Sequence, residues 1–440
     1  MITQSQLEEF IKVFVTKRQQ SLLQDDLTEY NSELHSRIDG KNVLVIGGAG
    51  SIGSQYIKAI LKFKINKLVV VDINENGLTE LVRDLRSSSE YNIPDEFITY
   101  PINFGDRVFE KLFFQHGPFH IVANFAAHKH VRSEKDIFSI EAMIENNVLR
   151  ARKLLDLLLK SPPEHFFCVS TDKAANPVNI MGASKKLMEE LILAYSDKLK
   201  ITTARFANVA FSNGSLPLGF LERLQKQQPW SCPLGIRRFF VSPQESGELC
   251  LLASIMGESG DIIYPKLDEE KDMISFDGIA RDLLQFLGME ADVCESEDEA
   301  RLKARARLHD GTRARGHDGT RARQHDGTTA RGHEGTRSGS SEVVKSKYPV
   351  YFFGSDTSGE KAYEEFYTDE ETRDEATFIN LGVVKNSKRR SIGEVDKIFQ
   401  DLEQLFKSGT VSKEGIVEIL KVYLPNFEHI ETGKGLDSKM

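Results

Sequence analysis

Two hydrophobic rhythms organise the first half of the chain. Short, nearly unbroken apolar runs occur at Asn42–Ile46, Lys67–Val71, Phe97–Ile102, His120–Asn124, Phe166–Val169 and Ile201–Ala204. Between them apolar residues return at helical spacing, as at Ile52, Tyr56, Ile57 and Ile60. Such runs read as buried strands and the spacers as amphipathic helices. Their alternation from 41 to about 205 predicts an α/β fold built on a doubly wound parallel sheet. Both ends are helical by the same reading. Leu7, Phe10, Ile11, Phe14 and Val15 form one stripe, and Leu22, Leu23, Leu27, Tyr30 and Leu34 suggest a second helix. These are expected to pack on the main domain or on another subunit, since their polar faces mix acids with bases. The tail repeats the pattern at Ile392, Val395, Ile398, Phe399, Leu402 and Leu405, then at Ile416, Ile419, Leu420 and Val422, and is expected against a neighbouring subunit.

One segment breaks the pattern. From His309 an eight-residue unit of the type H-D-G-T-R-A-R-G runs through four near-copies. A glycine in every unit and almost no apolar residue leave nothing to bury, so the segment cannot fold alone or stack as a solenoid. It reads as a duplicated stretch tolerated in a surface loop, because loop entropy grows slowly with length. Its four histidines are not expected to form a metal site.

Two stretches bear chemistry. Asn42–Ile46 leads directly into G-G-A-G-S-I-G, where Gly47, Gly50 and Gly53 allow a tight turn, a close backbone approach to a pyrophosphate and helix packing, with Ser51 and Ile52 opening the helix. Asp72 closes the next strand 19 residues beyond Gly53, near the spacing expected of an acid that binds the adenosine ribose. A carboxylate there disfavours a ribose phosphate, so NAD is expected over NADP. The second stretch, Ser170-Thr171-Asp172-Lys173, follows Phe166–Val169 and so stands at a strand's carboxyl end, where open α/β sheets hold ligands. An acid beside a base suits the movement of two protons on one small substrate. Met181 and Lys185, four residues apart, share a helix face.

Composition removes other classes. A net charge of −9 offers no footprint for nucleic acid. Cys168, Cys232, Cys250 and Cys294 lack paired spacing, which points to a reducing cytoplasm with neither disulfides nor a zinc site. No run of about 18 apolar residues is present, so a cytoplasmic protein without an integral membrane segment is expected.

Beyond the Gly turn and S-T-D-K-A-A-N-P from Ser170, further motifs follow in order: N-F-A-A-H-K-H-V from Asn124, the helix containing Asn147, R-F-A-N-V from Arg205, R-R-F-F from Arg237 and S-G-E-K-A-Y-E-E from Ser358. With them the chain resembles the nucleotide-sugar 4,6-dehydratases of the extended short-chain dehydrogenase/reductase superfamily, specifically the polysaccharide-biosynthesis (CapD-like) group acting on UDP-N-acetylglucosamine. The resemblance runs from about 40 to 290 and resumes at about 348 to 370. It implies a Rossmann-type fold with a smaller C-terminal substrate-binding lobe. The expected boundaries are a helical extension at 1–38, an NAD-binding domain at 39–210, a substrate lobe at 211–295 and 345–385, the repeat insertion at 300–344 and a helical tail at 386–440.

The reaction implied removes a hydride from C4 of the sugar, eliminates water across C5 and C6, and returns the hydride to C6. Asp172 would be the acid, Lys173 the base and Thr171 the partner of the C4 oxygen; Lys173 could act so only if its surroundings lower its pKa. Most of the superfamily has Tyr where this chain has Met181, and a thioether has no proton to lose, so the C4 base stays open between Asp172 and a water held by Thr171. Lys185 would hold the nicotinamide ribose. Cofactor contacts are further implied for Asp106, Ala126 and Lys129, and substrate contacts for His130, Asn147, Arg205, Asn208, Arg238 and Glu360. Two departures stand out: T-S-G-E-K lacks the usual arginine, and Asn103 occupies a position where an adenine-binding acid is common. The partners implied are a UDP-sugar and further copies of the chain. Inversion at C5, 4-epimerisation, and an NAD-binding scaffold without turnover remain as alternatives.

Overall fold

The computed structural model describes residues 2–129, 134, 136–318, 346–354, 364–385, 389–408 and 411–430, with backbone alone for 309–318. Its strands are β1 (Asn42–Ile46), β2 (Lys67–Val71), β3 (Glu96–Tyr100), β4 (Ile121–Asn124), β5 (His165–Val169), β6 (Ile201–Ala204), β7 (Asn208–Val209), β8 (Trp230–Leu234), β9 (Arg237–Val241), β10 (Ile262–Pro265), β11 (Met273–Ser275), β12 (Met289–Cys294), β13 (Ser346–Gly354), β14 (Thr372–Asp374) and β15 (Leu381–Lys385). Nine of them form the main sheet in the order β14-β15-β10-β6-β5-β4-β1-β2-β3. The pairs from β3 to β10 are parallel, and β15 and β14 add an antiparallel edge. Each inner strand is buried on both faces, which is why these segments read as continuous apolar runs rather than as alternation. The order 3-2-1-4-5-6 reverses between β1 and β4, and the carboxyl ends of those strands therefore open a crevice.

Two apolar clusters flank the sheet. One gathers Leu44, Val69 and Phe166 with the helices Arg150–Lys160 and Ile180–Ala194; the other gathers Val43, Val70 and Phe167 with the helices Ser51–Ile60 and Pro243–Met256. A third, holding Phe220, Trp230, Leu283 and Val350, forms the core of a smaller lobe around the parallel sheet β12-β13-β8.

The helical ends settle on this frame. Phe10, Ile11 and Val15 join the small-lobe core, whereas Leu23, Leu34 and Ile38 join the main sheet. The second predicted helix is split at Tyr30 into Gln24–Glu29 and Asn31–Ile38, and the buried Asp26 accepts the Ile379 and Asn380 N–H groups. The tail corrects its expectation: the helices Ile392–Lys407 and Lys413–Tyr423 pack on their own chain. Val395, Leu402, Ile416 and Leu420 share a cluster with Leu154, Leu158, Leu191 and Ile192, and Arg152–Asp396 and Arg390–Glu190 pairs rim the contact. Leu402→Ala should therefore cost about 2–5 kcal/mol of stability, read by urea unfolding of the single chain at several concentrations. An unchanged midpoint would show that this contact contributes nothing.

β12 and β13 pair directly, Met289 opposite Ser346 through Cys294 opposite Tyr351. The helix Glu297–Asp318 leaves β12 and continues into the first repeat copy, where a loop had been expected; the repeats beyond 318 lie outside the described residues.

Candidate active site

The crevice between β1 and β4 is a cleft of about 650 Å³ lined by Gly47, Gly50, Asp72, Asn103, Ala126 and His128 among others. Gly47 turns the chain at φ +78°, and a Cβ there would lie 2.5 Å from the Ala126 nitrogen. A Cβ on Gly53 would lie 2.3 Å from the Gly47 oxygen. The helix Ser51–Ile60 has Gly50 as its N-cap and no side-chain cap, which leaves its first-turn N–H groups for an anion. Asp72 accepts from the Ala49 and Asn74 nitrogens at 2.9 Å each, so it is fixed at the cleft wall. Together these features fit a dinucleotide.

The other expected cofactor residues differ in placement. Ser51 accepts the Asn213 N–H at 2.9 Å, and Ile52 packs beneath the turn between two cores. Asp106 begins the helix Arg107–His116 and does not line the cleft; Asn103 and Phe104 line it instead, because Asn103 closes the turn onto the Gly105 nitrogen. Lys129 is also absent from the lining, and desolvation lowers its pKa. His130 and Glu360 lie outside the described residues. Gly53→Ala should lower dinucleotide affinity at least about tenfold and destabilise the fold by about 1–3 kcal/mol, because backbone must shift to admit the methyl. Calorimetric titration with NAD beside a melting curve tests this, and unchanged affinity would refute the packing argument.

One strand away, β5 delivers Thr171 into a short 3₁₀ turn, Asp172–Ala174. The Thr171 hydroxyl donates to Asp172 Oδ1 at 2.6 Å, and Lys173 Nζ lies 3.2 Å from both Asp172 oxygens. A residue not singled out from the sequence completes the group. Glu364 accepts from Lys173 Nζ at 2.9 Å through Oε1 and from Asn208 Nδ2 at 2.8 Å through Oε2, and Arg238 Nε stands 3.2 Å from Oε1. It belongs to the S-G-E-K-A-Y-E-E motif, four residues beyond Glu360. Asp172 and Glu364 each leave 3% of the side chain exposed, and Lys173 leaves 29%.

This geometry sets the charges. Burial pushes Asp172 up, but the Lys173 ammonium and the hydrogen bond from Thr171 outweigh it and hold its pKa below the ordinary value. For Glu364 burial prevails, helped by repulsion from Asp172 and opposed by Lys173 and Arg238, and its pKa is pushed up to about 7. Burial works against the Lys173 ammonium, yet Asp172 and Glu364 raise its pKa well above normal. That reverses the condition expected of Lys173 as a base.

Behind the turn, buried Lys185 donates to the Val169 oxygen at 2.9 Å, and burial lowers its pKa against the pull of Cys168 and Glu189. Met181 is buried and its N–H donates to Glu134. Asn147 holds the loop after β4, accepting the His128 N–H at 2.8 Å and donating to the His128 oxygen at 2.9 Å and to Ser184 at 3.1 Å. Arg205 departs most from its expected place. It is fully buried, and it makes five hydrogen bonds: two to Glu189, two to Glu371 and one to the Phe366 oxygen. A guanidinium has five N–H donors, so none is left for a phosphate.

The strand order and the glycine turn define a Rossmann-type fold of the dinucleotide-binding class. Residues 43–305 match the model of the polysaccharide biosynthesis protein family, and the chain belongs to that family. It is 28% identical over 260 residues to the probable polysaccharide biosynthesis protein EpsC of Bacillus subtilis, covering 58% of this chain and 42% of that one. The chain thus spans less than half of that relative's length. Over 243 residues it is 28% identical to a UDP-N-acetylglucosamine 4,6-dehydratase (inverting) of Campylobacter jejuni, covering 53% of this chain and 69% of that one. In fold it is similar to the X-ray structure of Pen from Bacillus thuringiensis, with TM-score 0.57 and 18% identity over 83% of this chain and 98% of the other. Among the described residues no helix is long and apolar enough to cross a membrane, and no group of histidine, cysteine and acid could hold a metal ion.

Proposed function

We propose that the chain is an NAD-dependent nucleotide-sugar 4,6-dehydratase acting on UDP-N-acetylglucosamine, as the Campylobacter relative's name describes. The observation that supports this best is the Thr171-Asp172-Lys173 turn at the end of β5, one strand from a cleft that fits a dinucleotide. The Gly47–Gly53 turn and Asp72 would hold the cofactor, with Lys185 at the nicotinamide ribose, and when bound it would supply hydride acceptance and return without net redox change.

The proton balance falls to the protein. Loss of water needs the C4 hydroxyl proton to reach the departing C6 hydroxyl. Thr171, bonded to Asp172 at 2.6 Å, takes the proton from the C4 oxygen as it passes its own to Asp172, and Asp172 then gives it to the C6 oxygen. This removes any need for a tyrosine at Met181. Asn208 and Arg238 converge on Glu364 and serve the sugar diphosphate, whereas Arg205 serves the scaffold. The C5 proton goes to Lys173.

Incubating the full chain with NAD and UDP-N-acetylglucosamine tests the reading. A product lighter by one water supports it, and proton NMR of that product fixes the C5 configuration. Unchanged mass with a new hexosamine would replace it with epimerisation, and binding without conversion with a scaffold.

A further inference from the structure

Lys173 presents a contradiction that Glu364 resolves. A lysine that takes the C5 proton must first lose one, and two carboxylates hold this ammonium in place. They are not equivalent. Asp172 also receives the Thr171 hydroxyl, which stabilises its anion. Glu364 makes the shorter contact with Nζ, 2.9 Å against 3.2 Å, and is buried beside the Asp172 charge. Of the two, Glu364 gains more by becoming neutral.

We propose that Glu364 is the proton acceptor that turns Lys173 into a base, acting through Nζ without touching the sugar. This rests on the dehydratase reading. As the substrate reacts, a Lys173 N–H bond breaks and an O–H bond forms on Glu364 Oε1. The free amine then takes the C5 proton, breaking C5–H and forming N–H. After hydride has returned to C6, Lys173 gives a proton back to C5 and recovers its own from Glu364, so the pair ends as it began. In the resting site this transfer runs uphill, because the two carboxylates raise the Lys173 pKa; burial of Glu364 beside Asp172 raises the acceptor and so narrows the gap.

Among the described residues, the charged groups facing Glu364 are Asp172 and Lys173 from the turn after β5 and Arg238 from β9, with neutral Asn208 from β7. Burial and Asp172 outweigh the two cations and push Glu364 up to about 7. Because the acceptor must be ionised, turnover should rise as pH passes upward through that value.

Two measurements on the full chain decide the matter. Infrared titration should show a carboxyl that protonates near neutral pH in the wild type and is missing in Glu364→Gln. With NAD and UDP-N-acetylglucosamine, the same variant should lose about 10²-fold or more of kcat near neutral pH with KM little changed. Its pH profile should move to the alkaline side, and Glu364→Asp should recover part of the rate. If no such carboxyl is seen, or if Glu364→Gln keeps the wild-type rate and profile, the proposal fails. A wild-type chain that shows the titrating carboxyl, yet converts no nucleotide sugar, would sink the dehydratase reading and leave the proton-holding pair standing.

Discussion

Asp172→Asn is expected to slow water loss from the nucleotide sugar by about 10³-fold while leaving dinucleotide affinity unchanged. Asparagine is nearly isosteric, so the Thr171 contact and the turn survive, but an amide can neither take a proton from Thr171 nor deliver one to the C6 oxygen. The change also removes the negative charge that helps hold Glu364 up near 7, so the Glu364 carboxyl should titrate lower in this variant. The expected result is thus double: lost elimination, seen by mass spectrometry, and an infrared carboxyl transition displaced toward acid. A variant that dehydrates at the parental rate would remove Asp172 from the chemistry. Lost activity with the Glu364 transition unmoved would break the electrostatic link between the two acids.

Arg205→Ala should cost about 3–5 kcal/mol of stability rather than substrate affinity. Removing the guanidinium strands buried Glu189, whose pKa Arg205 holds below normal against burial, takes the Phe366 oxygen's donor, and leaves Glu371 with the Thr368 N–H and the more distant Lys186. The sign with pH follows. A carboxyl whose folded pKa is depressed contributes stability above its unfolded pKa and loses it as pH falls through the folded one. The Arg205–Glu189 contribution is therefore present at neutral pH and fades in acid, and the gap between wild type and variant should narrow there. Urea unfolding at neutral and acid pH measures this. A variant that melts like the wild type but shows a raised KM would restore Arg205 to the substrate.

These two residues also show where sequence reading works. The glycine turn and the S-T-D-K turn are local: each follows its strand immediately, and β1, β2 and β6 have the boundaries read from the apolar runs. Function tied to one strand end is legible because the backbone alone brings it about. Glu364 is different, since it stands 191 positions from Lys173 and reaches it only through the folding of the small lobe. Spacing holds no trace of that meeting. Arg205 was misplaced for another reason: a guanidinium fork suits carboxylates as well as phosphates, and only burial beside Glu189 and Glu371 decides between them. The tail stripe was rightly apolar, but periodicity cannot say whether its cover comes from the same molecule.

The direct pairing of β12 with β13 has an evolutionary corollary. Because neighbouring strands anchor both ends of the crossover, whole octapeptide units can be gained or lost by slippage during copying without moving either anchor. Glu364, ten residues past the last residue of β13, stands beyond the second of these anchors and meets Lys173 from there. Shortened and lengthened versions should turn over at one rate, and a copy-number dependence would mean that the anchors do not insulate the site.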